Sequence, residues 1–425
     1  MSLTFLYRRA IALFLFLFII SCTDTEKTNT SNKNLSLWQG RWRATLRLQE
    51  TQELPFNFDL KYKNGQYEMI IYNADEKIVV NDFTFDHDSV FIRLPVYNAE
   101  LRGKFNQKRI LGAWYNYGRE VPTNIPFYAV HGDSSRFIFN VVDSIPKVDG
   151  KWEVTFIAGD KSSKEDAIGE FKQNGTHLTA TFRTPTGDYR YLEGCVTNNE
   201  ILLSTFDGAH AFLLQGNLTE YGDIEGDFYA GSSYFAHWIA FKNDTATLPT
   251  IGKLSYLKNP QDATIRFTLP NLDGKTVSLS DAEFKNKVVL VQLMGSWCPN
   301  CYDESRFLVD ITKKYGNKIA IVALAFEPSG LLEKERPNLL RYKKQVGIDY
   351  PILLAGKNKK QEASKLFPQL NGIEAFPTLL VIDKTGKVRD VHSGFEGPAT
   401  SQYASFTKEF TKLIENLLAE SAKSS

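Results

Sequence analysis

The sequence predicts a multidomain protein. An all-β N-terminal half, built as a duplicated antiparallel barrel or sandwich, precedes an α/β C-terminal domain. Three observations carry this expectation. From Leu37 to about Asn243, apolar and polar residues alternate, aromatics are frequent and no helix-length pattern appears. Within that stretch a set of residues recurs roughly 110 positions later, which marks two copies of one unit. Past about residue 258 the period changes, and strand-like runs alternate with amphipathic stretches of helix length, as in a sheet covered by helices. A chain of 425 residues also exceeds one ordinary core. The expected segments are 1–22, 23–36, 37–145, 146–245, 246–258 and 259–425.

The N-terminus reads Arg8-Arg9, an apolar run from Ala10 to Ile20, then Ser21-Cys22. This is the layout of an export signal, and the run is shorter than the roughly 20 apolar residues a membrane span needs. Ile19-Ile20-Ser21-Cys22 resembles a bacterial lipobox, which implies that Cys22 is acylated and anchors the mature protein. Residues 23–36 are nearly all polar, cannot bury a core and read as a flexible tether.

In the β-rich half, Asn64-Gly65, Asp149-Gly150, Asn174-Gly175 and Asp207-Gly208 are hairpin signals. Phe56–Leu60, Tyr67–Tyr72, Ser89–Leu94, Arg136–Val142 and Leu178–Phe182 read as half-buried strands. The repeat pairs Gly40-Arg41-Trp42 with Gly150-Lys151-Trp152. It also pairs Gly103 and Gly112-Ala113-Trp114 with Gly216 and Gly226-Asp227-Phe228. The aromatics are expected in the cores. Cys195, alone in a strand-like stretch, is expected to be a small buried hydrophobe.

Composition excludes several functions. A net charge of +1, with no run of five basic residues, argues against nucleic-acid binding. The six histidines show no metal-site spacing, so no metal and no dissociable cofactor are expected. Gly274-Lys275-Thr276 lacks the earlier glycine of a phosphate loop, and Asp273-Gly274 reads as a turn.

In the C-terminal half, Val288–Leu293 is a continuous apolar run, as in a strand buried on both faces, and leads through Gly295-Ser296-Trp297 into Cys298-Pro299-Asn300-Cys301. Further elements are expected at Ile319–Phe326 (strand), Leu331–Val346 (helix), Pro351–Ala355 (strand), Thr378–Ile382 with Lys387–Val391 (strand pair) and Ser401–Leu418 (helix). A helix starting at the cysteines puts both sulfurs on one face within disulfide reach. Cys298 then sits at the helix N-terminus, where unpaired N–H groups favour thiolate. Cys298 is the expected nucleophile and Cys301 the resolving thiol, so that the Cys298–Cys301 couple is the redox group. Half a zinc site is the competing reading of the pair, but no second Cys/His pair completes it.

Trp297-Cys298-Pro299-Asn300-Cys301 after a buried strand, with Ala375-Phe376-Pro377-Thr378 before a later one, resembles the active site and cis-proline loop of the thioredoxin superfamily. The hairpin-like Thr264–Leu269 and Thr276–Leu279, and Glu304 three residues after Cys301, are similar to the TlpA/ResA branch of thiol–disulfide oxidoreductases. The resemblance covers most of the second half. It implies a thioredoxin-like fold, a cis Pro377, and a substrate face formed by Trp297, Pro299, Phe376 and Pro377. Gln292 stands where thioredoxin has a buried acid, so proton transfer at Cys301 falls to Glu304, a partly buried carboxylate one turn along, with Glu327 the alternative. Arg306 replaces the usual helix-kinking proline.

The function implied is an extracytoplasmic, membrane-anchored thiol–disulfide oxidoreductase, with disulfide reduction the expected direction. It would face the periplasm or cell surface from the inner or outer membrane and act on protein thiols and disulfides. A membrane electron donor of the DsbD/CcdA type would supply its electrons. The competing functions are a peroxiredoxin-like thiol peroxidase, disfavoured because Ser296-Trp297-Cys298 lacks the upstream threonine, and a client-binding β domain with an accessory redox domain.

Overall fold

The computed structural model describes residues 36–49, 51–139, 145–248, 254–261 and 263–421. The export signal, Cys22, nearly all of the tether and residues 249–253 of the expected linker lie outside them. The first β-rich segment forms β1 (Gly40–Arg47), β2 (Glu53–Lys63), β3 (Gln66–Asn73), β4 (Glu76–Val80), β5 (Asp82–Asp86), β6 (Ser89–Arg93), β7 (Ala99–Asn106), β8 (Arg109–Asn116) and β9 (Thr123–His131). Their order, β4-β3-β2-β1-β9-β8-β7-β6-β5, is a meander whose first and last strands pair, with no ladder between β4 and β5.

The second segment forms β10 (Gly150–Ala158), β11 (Lys164–Asn174), β12 (His177–Thr184), β13 (Gly187–Asp188), β14 (Leu192–Thr197), β15 (Glu200–Phe206), β16 (Ala211–Leu218), β17 (Ile224–Ala230) and β18 (Tyr234–Lys242). Leaving β13 aside, every strand pairs with two neighbours, so the ring closes as an up-and-down barrel, and β13 is a short flap on β12. Trp152, Val154 and Phe156 alternate into its core, where they meet Phe171, Phe182 and Trp238.

The two barrels repeat each other in detail. The Trp42 indole N–H donates to the Trp38 carbonyl at 3.0 Å, and Trp152 donates to Val148, likewise four residues back, at 2.8 Å. Gly103 pairs with Gly112 across β7 and β8, as Gly216 pairs with Gly226 across β16 and β17. A Cβ on Gly112 would stand 2.5 Å from the Gly103 Cα, and one on Gly226 2.6 Å from the Gly216 Cα. The recurring glycines thus mark close backbone approaches.

Two expectations fail here. Arg136–Phe139 is not a strand, and residues 140–142 lie outside the described ones. Arg136 leaves the sheet because its buried guanidinium joins the barrels, donating to Ser204 Oγ (2.9 Å), Asn73 Oδ1 (3.1 Å) and Glu193 Oε2 (3.1 Å). Asp149-Gly150 is no hairpin turn. Gly150 opens β10 with a φ of 109°, as Gly40 opens β1 with a φ of 117°. Phe206 extends the same interface by stacking on Phe56 of the first barrel at 4.5 Å.

The third segment begins with the hairpin β19 (Thr268–Pro270) and β20 (Thr276–Ser278), shorter than expected. It continues with β21 (Val288–Met294), α1 (Pro299–Tyr315), β22 (Ile319–Glu327), α2 (Leu332–Val346), β23 (Ile352–Lys357), α3 (Lys360–Leu366), β24 (Thr378–Ile382), β25 (Val388–Ser393) and α4 (Tyr403–Ala419). The sheet order is β23-β22-β21-β24-β25, parallel through β21–β23 and antiparallel at β24 and β25. Val288, Leu290 and Met294 of β21 face α1, α2 and α4, and Val289, Val291 and Leu293 face the α3 side, so the strand is buried on both faces. From Ser36 onward the chain is one compact unit, and the core under α1 is continuous with that of the first barrel.

Candidate active site

β21 delivers the chain to the sheet's edge, and a turn at Gly295–Trp297 aims it into α1. Cys298 is the N-cap of that helix, with φ −103° and ψ 113°, and its Sγ accepts from the Cys301 N–H at 3.2 Å. Pro299 takes the first helical position, where a missing N–H costs no intrahelical bond. Cys298 and Cys301 form a disulfide, with Cα atoms 5.2 Å apart. Cys298 is 5% exposed and Cys301 fully buried, so an incoming group meets Cys298 first. Once the bond is reduced, the N–H groups of the first turn and the helix dipole favour thiolate at Cys298.

The Phe376–Pro377 peptide is cis, and the Phe376 carbonyl oxygen lies 3.5 Å from the Cys298 sulfur. Trp297 closes this face, its indole N–H donating to the Phe326 carbonyl at 2.8 Å and its ring edge-on to Phe376 at 5.8 Å. The structure therefore brings Trp297, Cys298, Pro299, Phe376 and Pro377 together.

Beneath the disulfide lies a buried polar network. Gln292, on the α1 face of β21, donates through Nε2 to Glu304 Oε2 at 2.9 Å and accepts from Ser305 Oγ at 3.1 Å. The Tyr342 hydroxyl completes it, donating to Ser305 Oγ at 3.0 Å. Glu304 is fully buried rather than partly so, because α1 turns it onto the sheet, and Oε1 has no protein partner. Burial pushes its carboxyl up to about 8, against the bond from Gln292. Glu327, at the end of β22, is a second such acid. It accepts from the Ser296 N–H (2.7 Å) and hydroxyl (2.8 Å), and burial likewise raises it to about 8.

Sequence reasoning left other neighbours unseen. Asn300 donates to the Asp188 carbonyl of the second barrel at 3.1 Å, and Asp303 pairs with Arg190 of that barrel at 2.7 Å. No local pattern carries these contacts, since the partners are more than 100 residues apart. Cys195 lies buried in β14, remote in sequence from any other cysteine, and burial pushes its thiol up to about 11. Among the described residues no group of three or more His, Cys, Asp and Glu is arranged to hold a metal ion.

Residues 259–406 match the Redoxin family. The thioredoxin-like protein YneN of Bacillus subtilis is 28% identical over 128 residues, 30% of this chain and 68% of that protein. The thiol–disulfide oxidoreductase ResA of Bacillus thuringiensis subsp. konkukian is 30% identical over 123 residues, 29% of this chain and 62% of ResA. A solved thiol–disulfide oxidoreductase from Bacteroides fragilis is 20% identical, aligned over 36% of this chain and 99% of that one, with a TM-score of 0.28. The C-terminal part of the chain is thus a Redoxin-family domain, a TlpA/ResA-like thiol–disulfide oxidoreductase of the thioredoxin superfamily.

Proposed function

We propose that the protein is a lipid-anchored disulfide reductase working outside the cytoplasm. The observation that carries the chemistry is the seat of Cys298 on the α1 N-terminus beside the Phe376–Pro377 loop. In the reduced enzyme the Cys298 thiolate attacks a substrate disulfide, forming one S–S bond and expelling one substrate thiolate, which takes up a proton. Cys301 loses its proton and attacks the Cys298 sulfur. The enzyme disulfide forms, the second substrate thiol leaves, and two electrons have passed to the substrate. Glu304, one helical turn from Cys301, is the candidate to accept that proton through the fraction of its carboxyl that is ionised, which grows as pH approaches 8. Trp297, Pro299, Phe376 and Pro377 form the face on which a protein substrate would lie, with the Phe376 backbone free to pair as an added strand.

The reading predicts that Cys298→Ser abolishes reduction of a model disulfide, whereas Cys301→Ser accumulates a mixed disulfide visible on a non-reducing gel. Full turnover by Cys298→Ser would overturn it. Direction is tested by the potential of the couple, expected nearer the about −270 mV of a reducing thioredoxin than the about −120 mV of a strong oxidant. Electrons would come from a membrane donor of the DsbD/CcdA type. Export and anchoring are supported by the apolar run Ala10–Ile20 ahead of Ser21-Cys22. Mass spectrometry of membrane-extracted protein is expected to find acylated Cys22 as the first residue, and Cys22→Ala to free the protein from membranes. An unmodified Cys22 would refute the anchor.

A further inference from the structure

The site of a thiol that must meet other molecules is flanked here by two barrels. On one side Gly118, after β8, lies beside Trp297, where a Cβ on it would make ordinary van der Waals contact with the Trp297 Cβ at 3.5 Å. On the other side the β12–β13 turn, Thr184–Asp188, is wedged between the start of α1 and the loop after β25. A Cβ on Gly187 would meet Asn300 Oδ1 at 2.8 Å, and one on Gly394 would meet the Thr186 backbone at 2.7 Å. Gly394 is itself hydrogen-bonded to the Pro377 carbonyl at 2.8 Å, one residue from the Phe376 oxygen that faces Cys298. The turn therefore touches Asn300, two residues past Cys298, and Gly394, which is bonded to the Pro377 loop whose Phe376 oxygen lies 3.5 Å from the Cys298 sulfur.

The wedge is fastened at both ends. Arg183 pairs with Glu396 at 2.9 Å, and the Asp188 carboxylate accepts from the Gly397 N–H at 2.6 Å. Beyond it, Arg190 reaches Asp303 of α1. We propose that the Thr184–Asp188 turn is a specificity-determining cover over Cys298. While it is seated, small or extended disulfides reach the sulfur, and a disulfide in a folded protein surface reaches it only when the cover lifts. The inference rests on the exchange at Cys298 proposed above.

The test uses the full reduced chain and one labelling chemistry at two sizes, N-ethylmaleimide and a maleimide on a polyethylene glycol chain, with modification read at Cys298 by peptide mapping. The ratio of the two rates cancels intrinsic thiolate reactivity, and the same ratio on glutathione gives the value for an open thiol. The wild type is expected to exceed the glutathione ratio by about tenfold or more, since only the uncovered fraction meets the large reagent. Asp188→Ala combined with Glu396→Ala removes both acceptors, and with them two fastenings, without touching the reacting atoms, and is expected to bring the ratio back towards that of glutathione. A wild-type ratio equal to that of glutathione overturns the cover without any variant, as does a folded variant that keeps the wild-type ratio. A parallel assay with a small aromatic disulfide and a disulfide-bonded folded protein separates the two proposals. If neither substrate is reduced by any form, the oxidoreductase reading fails, while the labelling ratio still judges the cover.

Discussion

Glu304 and Glu327 are the residues where burial and chemistry most directly meet. Both carboxyls are raised to about 8 by desolvation, so at neutral pH each is held largely as the neutral acid. The native state then binds more protons than the unfolded chain between about pH 4.5 and 8, and stability is present in full below that window and lost as pH rises through it. Glu304→Gln keeps the bond with Gln292 and removes the titration. At pH 4 its melting temperature should match that of the wild type, and at pH 9 it should lie roughly 5 °C or more above it. Exchange should move the other way, slowing about tenfold or more near pH 8 with a flattened pH–rate profile, if the carboxyl carries the Cys301 proton. A variant with wild-type rate and wild-type profile would reduce Glu304 to a packing residue, and the same pair of measurements on Glu327→Gln would then locate the proton carrier.

At the scale of elements, most of the C-terminal domain was legible because each element has a local cause. Val288–Leu293 is apolar at every position but one because β21 is covered on both faces, and the exception, Gln292, is the residue that meets Glu304. The helix start follows from the spacing of Cys298 and Cys301, and the cis Pro377 from the resemblance alone. Only α3 went unread, since its seven residues, Lys360–Leu366, bury just Ala363 and so leave almost no apolar stripe. The duplication was legible through the positions that constrain a barrel most, the indole N–H bonds of Trp42 and Trp152 and the facing glycines of β7/β8 and β16/β17. Arg136–Val142 misled because alternation describes burial and not pairing. Arg136 is buried, but against the second barrel rather than in a ladder.

The whole molecule turns on a residue that no sequence pattern marks. Arg190, in the second barrel, donates to Asp303 of α1 (2.7 Å), to Asp207 of its own barrel (2.9 Å) and to Glu76 of the first barrel (2.6 Å). Its guanidinium also lies 5.6 Å from the Tyr302 ring centroid, next to the active-site helix. One buried cation thus joins all three folded parts. The surrounding acids depend on it: burial raises the carboxyl of Glu76, and burial together with Asp303 raises that of Asp188 to about 7. Arg190→Met keeps an unbranched stem that reaches about as far as the arginine Nε but leaves these carboxylates facing one another without a counter-charge. Removing one partner from a buried charge cluster costs about 3–5 kcal/mol. The cost has a pH sign, because the orphaned acids can escape ionisation by binding protons. The carboxyls of Glu76 and Asp188, already raised by burial, rise further above their unfolded values, so the variant loses additional stability as pH increases through neutrality. Chemical denaturation should therefore show a deficit of about 3–5 kcal/mol at pH 8 that shrinks by at least half at pH 5, where Glu76 and Asp188 bind protons. A deficit equal at both pH values would mean that Arg190 acts through packing on Tyr302, and that the three parts are held together by the apolar core they share instead.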